Sequence, residues 1–168
     1  MTQRLDSAAE AVLARRTRRL NIVIVDDDPD DRLLAREALD DLAARGAARA
    51  GNATLAADGH ALLSHLKRAA AGKAPWPDLV LLDWNMPGMN GADTLAALKA
   101  DPRYAAIPVV VVSTSHADAD IADAYRLGGS AFVTKANHFA DVVDTLGRIL
   151  TFWTGTALPP PRHGEDAP

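Results

Sequence analysis

Leu79-Val80-Leu81-Leu82-Asp83-Trp84-Asn85-Met86-Pro87-Gly88 decides how the rest of this chain is read. Four apolar residues in an unbroken run describe a strand buried on both faces, and such strands belong to parallel sheets sandwiched between helices. The run stops at a carboxylate, after which Pro87-Gly88 and Asn90-Gly91 mark a loop. The same design recurs on either side. Ile22-Val23-Ile24-Val25 runs into Asp26 and Asp27, Ile107 to Val112 into Ser113 and Thr114, and Ala131-Phe132-Val133-Thr134 into Lys135. A weaker strand is expected over Ala53 to Ala57, ahead of turn chemistry at Asp58-Gly59.

Helical spacing fills the gaps. Leu34, Ala38 and Leu42 share a face; Asp28 caps that helix, Pro29 takes its first position, Asp30 and Asp31 favour its dipole and Gly46 ends it. Leu62, Leu63 and Leu66 lie on a second helix, broken by Pro75-Trp76-Pro77. Leu95 and Leu98 lie on a third, closed by Asp101-Pro102. Ile121, Ala124, Tyr125 and Leu127 belong to a fourth, ending at Gly128-Gly129. The last helix carries Val142, Val143, Leu146, Ile149, Leu150 and Trp153, more apolar positions than one core stripe requires. Strand and helix therefore alternate five times, which implies an α/β fold: a doubly wound parallel sheet with helices on both faces. Five strands are too few for a closed eight-stranded barrel. The domain spans residues 20–152. Residues 1–19 precede it as an extension whose Leu5, Ala8, Ala9, Val12 and Leu13 suggest a short amphipathic helix with a basic end, either solvated or a docking arm. Residues 153–168 follow as a tail, expected to be mobile from its prolines and polar residues.

Composition narrows the function. The 168 residues include no cysteine, which excludes disulfides, thiolate metal sites and thiol nucleophiles. Twenty-two acids against eighteen bases give a net charge of −4, which argues against a nucleic-acid partner. No apolar run is long enough for a membrane span and no secretory signal opens the chain, so a cytoplasmic location is expected. The histidines, His60, His65, His116, His138 and His163, show no paired ligand spacing and read as surface or cap residues. Neither a dinucleotide glycine fingerprint nor a P-loop is present.

In an open parallel sheet, ligands bind beyond the carboxyl ends of the strands. Asp26, Asp27, Asp83, Ser113, Thr114 and Lys135 all fall there. Each alone is a turn former, cap or edge charge; four segments converging on one rim make a site. Three close carboxylates repel one another unless a hard divalent cation joins them, and few oxygen ligands with room for water favour Mg²⁺. Lys135 offers a compact charge to a phosphoryl oxygen and Ser113 a hydroxyl. Asp83, on the central strand, is placed as a carboxylate nucleophile that holds an aspartyl phosphate.

With those residues in that order, the chain resembles a response-regulator receiver domain of two-component signalling. The carriers are Val25-Asp26-Asp27, Leu82-Asp83-Trp84-Asn85-Met86-Pro87-Gly88-Met89, Val112-Ser113-Thr114-Ser115 and Phe132-Val133-Thr134-Lys135. The resemblance implies strand order 2-1-3-4-5, a non-enzymatic role and Asp83 as phosphoacceptor. It implies Mg²⁺ on Asp26, Asp27 and Asp83, with Asp27 a direct ligand and the Asn85 backbone carbonyl completing the set. It makes Ser113 the switch hydroxyl, Lys135 the phosphoryl contact and Phe132 the aromatic switch, the alternative for Phe132 being plain strand packing. A closer resemblance is to single-domain regulators partnered with bacterial phytochrome kinases. It rests on Asp28-Pro29-Asp30-Asp31-Arg32, Ser113-Thr114-Ser115 and the ending from Phe152-Trp153 to Leu158-Pro159-Pro160. It implies a sensor histidine kinase as partner, a bacteriophytochrome in that subgroup. It also implies a homodimer through the last helix, with Val142, Val143, Leu146, Leu150, Phe152 and Trp153 as its face; the alternative is a helix end folded back on its own domain. Output is expected through protein contact, competition for phosphate or relay to a histidine phosphotransfer protein, the tail being too short for a DNA-binding domain. In the family, proline usually follows the lysine; Ala136 stands here, so this loop is expected to depart from the family norm.

Two rival readings compete. In one, Ile22 to Asp28 marks a haloacid-dehalogenase-type phosphatase with Asp26 as nucleophile, which leaves the Asp83 motif unexplained. In the other, the domain is a dimeric adaptor that works without phosphorylation.

Overall fold

A computed structural model describes residues 2–47, 49–162 and 164. Among them the elements run α1 (Thr2–Thr17), β1 (Leu20–Val25), α2 (Pro29–Ala44), β2 (Ala50–Ala56), α3 (Gly59–Ala70), β3 (Leu79–Asp83), α4 (Gly91–Ala100), β4 (Val109–Ser113), α5 (Asp118–Arg126), β5 (Ala131–Thr134) and α6 (Phe139–Thr151). The five strands pair in parallel in the order β2-β1-β3-β4-β5, as expected for a doubly wound receiver-type sheet.

Alternation along each strand divides the core in two, because successive side chains point to opposite faces. Val23, Val25, Val80, Leu82, Val109 and Val111 face α3, α4 and α5, where Leu62, Leu66, Leu95, Leu98 and Ala124 meet them. Ile22, Ile24, Leu79, Leu81 and Val110 face α2 and α6, against Ala38, Leu39, Leu42, Leu146 and Leu150. This second cluster corrects the dimer-face expectation. Leu146 and Leu150 are buried in the domain's own core beneath α2, so neither side chain is available to a second copy. Val142, Val143 and Trp153 are half-buried against the same cluster, and of the six residues only Phe152 is exposed. A π-helical turn over Phe152–Thr156 follows α6, with the Phe152 and Trp153 rings edge to face at 5.2 Å.

Local chemistry sets the element ends. The Asp28 carboxylate accepts from the Asp30 N–H at 2.8 Å, Pro29 follows it, and Gly46 takes φ +65 just past α2. Gly91 opens α4 hard against the strand below it: a Cβ there would lie 2.6 Å from Trp84 Cα and 2.7 Å from the Asp83 carbonyl oxygen.

Residues 153–162 of the tail pack on the domain. Pro159 is buried, the Pro160 carbonyl accepts from Arg18 Nη2 at 2.8 Å, and Arg162 pairs with Asp78 at 2.7 Å. The Asp78 side chain is fully buried and also meets Arg18 and the Asn21 N–H, each at 2.8 Å. A buried carboxylate of this kind needs several donors, and it recruits them from both ends of the chain. In α1, Val12 and Leu13 are exposed, while the side chains of Leu5 and Ala8 lie outside the described residues. His65 is a second correction: it is buried, with Nε2 3.1 Å from the Pro75 carbonyl oxygen, and burial lowers its pKa. His60, His116 and His138 are exposed, and His163 lies outside the described residues. No helix among the described residues is long and apolar enough to cross a membrane.

Candidate functional site

The sheet register builds the site. Val25 pairs with Leu82, Asp83 with Val112 and Ser113 with Thr134. Residues at or just past these ends therefore share one rim. The Asp26 N–H continues the ladder to the Ala56 carbonyl at 3.1 Å, and the Lys135 N–H reaches the Ser113 carbonyl at 2.8 Å. Turn bonds then fix the acidic pair. Asp26 Oδ1 accepts from the Asp28 N–H at 3.0 Å, and the Asp26 carbonyl accepts from Arg32 Nη1 at 2.5 Å.

Asp26, Asp27 and Asp83 each bring a carboxylate oxygen within 4.8 Å of the other two. Asp26 and Asp83 are buried, whereas Asp27 is exposed. Burial raises the pKa of both buried acids. For Asp83 the result is about 6, with Lys135 opposing the rise and Asp26 adding to it. Such a set fits a hard divalent cation: the oxygens converge, two of the carboxylates are costly to ionise alone, and the third stays open to water.

Lys135 Nζ lies 2.7 Å from Asp26 Oδ2, 2.6 Å from Asp31 Oδ2 and 3.8 Å from Asp83 Oδ2. Burial works against its charge, yet the bonds to Asp26 and Asp31 outweigh burial and hold the ammonium above its ordinary pKa. The Lys135–Ala136 peptide is trans, as are all the described peptides. Ser113 is fully buried; its Oγ accepts from the Ser115 N–H at 3.0 Å and from Asn85 Nδ2 at 3.4 Å. The hydroxyl's own proton is spent on neither bond, so it remains a donor.

Phe132 is half-buried, with its ring 6.4 Å from that of Trp84 in an edge-on arrangement. Its backbone N–H donates to the Tyr125 hydroxyl at 3.3 Å.

Asp26, Asp27, Asp83, Ser113 and Lys135 thus converge on one rim, with Asn85 beside them through its bond to Ser113; Phe132 lies further back in β5, paired with Val111 and against Trp84. Two participants escape sequence reasoning. Asp31 bonds Lys135 although its place in the first turn of α2 is already explained by the helix dipole. Asp120 takes the Ser115 hydroxyl from the first turn of α5, again a position where an acid is ordinary.

The chain is similar in sequence and in fold to known proteins. Residues 22–147 match the family model of the response regulator receiver domain. The response regulator Rcp1 of Synechocystis is 35% identical over 104 residues, 61% of this chain and 71% of Rcp1. The chemotaxis protein CheY of Pseudomonas aeruginosa is 33% identical over 116 residues, 69% of this chain and 84% of CheY. Among solved structures, the phosphorylated cyanobacterial phytochrome response regulator RcpA superposes with a TM-score of 0.74 at 32% identity, covering 85% of this chain and 99% of RcpA. The Mn²⁺-bound form of Rcp1 gives 0.72 at 30% identity, covering 84% and 99%.

Proposed function

This chain belongs to the response-regulator receiver family, and on that footing we propose that it takes up a phosphoryl group on Asp83 from a sensor histidine kinase, in a reaction that needs Mg²⁺. The observation that carries the reading is the convergence of the Asp26, Asp27 and Asp83 oxygens within 4.8 Å, with Lys135 Nζ 3.8 Å from Asp83. An Asp83 carboxylate oxygen attacks the phosphorus; the bond from phosphorus to the donor nitrogen breaks, and the donor histidine leaves with that electron pair. Asp26, Asp27, Asp83 and the Asn85 backbone carbonyl would hold the cation, which when bound would supply neutralising charge for the phosphoryl oxygens. Lys135 places its ammonium on one phosphoryl oxygen, and Ser113 donates its hydroxyl to another. Phe132 then repacks against Trp84, altering the face made by α5, β5 and α6 that meets the next protein.

Similarity to Rcp1 and to the phytochrome regulator RcpA supports a bacteriophytochrome as the kinase. Signalling then proceeds by contact: with the kinase, with a histidine phosphotransfer protein, or between two copies joined through Phe152, Trp153, Val142 and Val143. Location in the cytoplasm follows from such a partner.

The test is exposure of the protein to acetyl phosphate and Mg²⁺, followed by mass spectrometry of the intact protein and of its peptides. One phosphoryl adduct on Asp83, absent in Asp83→Asn and absent with a chelator, is the expected result. An adduct on Asp26, or continuous turnover of phosphate esters, would overturn the reading in favour of a phosphatase.

A further inference from the structure

Lys135 has three N–H donors and three carboxylates within reach, and it does not share itself evenly among them. Two donors close short bonds to Asp26 and Asp31, while Asp83 stays 3.8 Å away. Asp31 is the acid that the carboxylate triad does not use. It sits in the first turn of α2, fixed by the capped start at Asp28 and Pro29, and its side chain is 38% exposed against 14% for Lys135. The lysine backbone is anchored by the bond from its N–H to the Ser113 carbonyl. Its ammonium can therefore swing only through the flexible side chain, and the acid on α2 determines where that swing stops.

We propose that Asp31 is a positioning residue: it tethers the Lys135 ammonium to the α2 rim and keeps it off Asp83. This rests on the reading of Asp83 as the phosphoacceptor and deepens it. The ammonium and a cation would compete for the same oxygens, since Asp26 serves both. A tether on Asp31 gives Lys135 a partner that the cation set does not need. Lys135 can then release Asp26 without leaving the pocket and without sealing the Asp83 oxygen that must attack phosphorus. Without Asp31, the ammonium's remaining anionic partners are Asp26 and Asp83, the two buried acids that the cation also requires.

Two measurements test this. The first is a crystal structure of metal-free Asp31→Ala. The expected result is Lys135 Nζ within hydrogen-bond distance, about 3.2 Å or less, of an Asp83 oxygen; an ammonium left on Asp26 at its present distance from Asp83 overturns the proposal. The second is a double-mutant cycle on Mg²⁺ affinity with no phosphodonor present, followed by calorimetry on the wild type, Asp31→Ala, Lys135→Ala and the double variant. Direct attraction between Asp31 and the cation is the same whether or not Lys135 is there, so it cancels in the cycle. Asp31→Ala is expected to weaken Mg²⁺ about tenfold with Lys135 present and no more than about threefold without it, because a released ammonium contests the site only in the first case. Equal losses in the two backgrounds overturn the proposal. A wild type that binds Mg²⁺ yet takes up no phosphoryl group sinks the phosphoacceptor reading and leaves both tests of Asp31 intact. If Mg²⁺ does not bind at all, the metal-free structure alone decides.

Discussion

Arg162 sets two guanidinium nitrogens on the two oxygens of Asp78, Nε at 3.0 Å and Nη2 at 2.7 Å, across 84 positions of sequence. Arg18 meets the same carboxylate from the other end of the chain. Removing the acid takes away a fully buried carboxylate that bonds both guanidinium groups and the Asn21 N–H, so Asp78→Ala should cost about 2–3 kcal/mol in urea unfolding. Arg162→Ala, which leaves Arg18 in place, should cost less. Limited proteolysis with thermolysin is the second check: both variants should be cut between Phe152 and Leu158 more readily than the wild type. Equal resistance in all three would show that the clasp does not hold the tail.

Asp83 carries a pKa raised to about 6 before any cation binds. A raised carboxyl pKa means that the folded state binds the proton more tightly than the unfolded chain does. The charged form therefore costs stability at neutral pH, and stability is recovered as pH falls through about 6 toward the ordinary carboxylate range. A shift of this size corresponds to at most about 3 kcal/mol. The metal-free Asp83→Asn variant should melt above the metal-free wild type at pH 7.5, with the gap narrowing below pH 6 and closing near the ordinary carboxylate pKa of 3.8. Added Mg²⁺ should stabilise the wild type and leave the Asn variant nearly unmoved. A variant that melts below the wild type at both pH values contradicts the burial argument.

Gly91 has no room for a side chain, because a Cβ would press on the Trp84 and Asp83 backbone. Neither neighbour is a flexible side-chain end, so the strand end itself must shift. Gly91→Ala should lose about 1–3 kcal/mol in stability. Its uptake of phosphoryl from acetyl phosphate should also slow, since the displaced atoms carry the acceptor carboxylate. Unchanged uptake in a destabilised variant would separate packing from function here.

Phe152 is half exposed beside the Trp153 ring at the end of α6. If a second copy covers this ring, Phe152→Ser should shift sedimentation equilibrium toward monomer with little change in the melting temperature. Leu150→Ser, by contrast, should unfold the domain, because that side chain belongs to its core.

The strands that were plain in the sequence are those buried on both faces. β1, β3 and β4 are nearly uniform apolar runs because helices cover both sides of the sheet there. β2 was harder to place, expected over Ala53 to Ala57 and found over Ala50–Ala56. As an edge strand it exposes Gly51, Asn52 and Leu55, so no apolar run marks it. The site is legible wherever a strand ends in a polar residue, which is why the sequence alone groups Asp26, Asp83, Ser113 and Lys135. Asp31 and Asp78 were not legible. The first has an adequate local reason to be acidic, and the second gathers partners from both termini at spacings that no periodicity encodes. The width of the apolar band on α6 misled for a related reason: a helix wrapped by α2 and the sheet looks, in sequence, like a helix wrapped by the sheet and a neighbour.

The Tyr125 hydroxyl takes the Phe132 N–H from outside the sheet. β5 is the outer strand on that side, and an outer strand normally presents a ladder that any extended peptide can lengthen. Here the phenol plugs one rung of that ladder. Partners that add themselves as a sixth strand must first evict Tyr125, whereas partners that grip side chains need not. If the plug matters, Tyr125→Phe should leave the fold standing yet make concentrated protein more prone to self-association through this margin, read by light scattering.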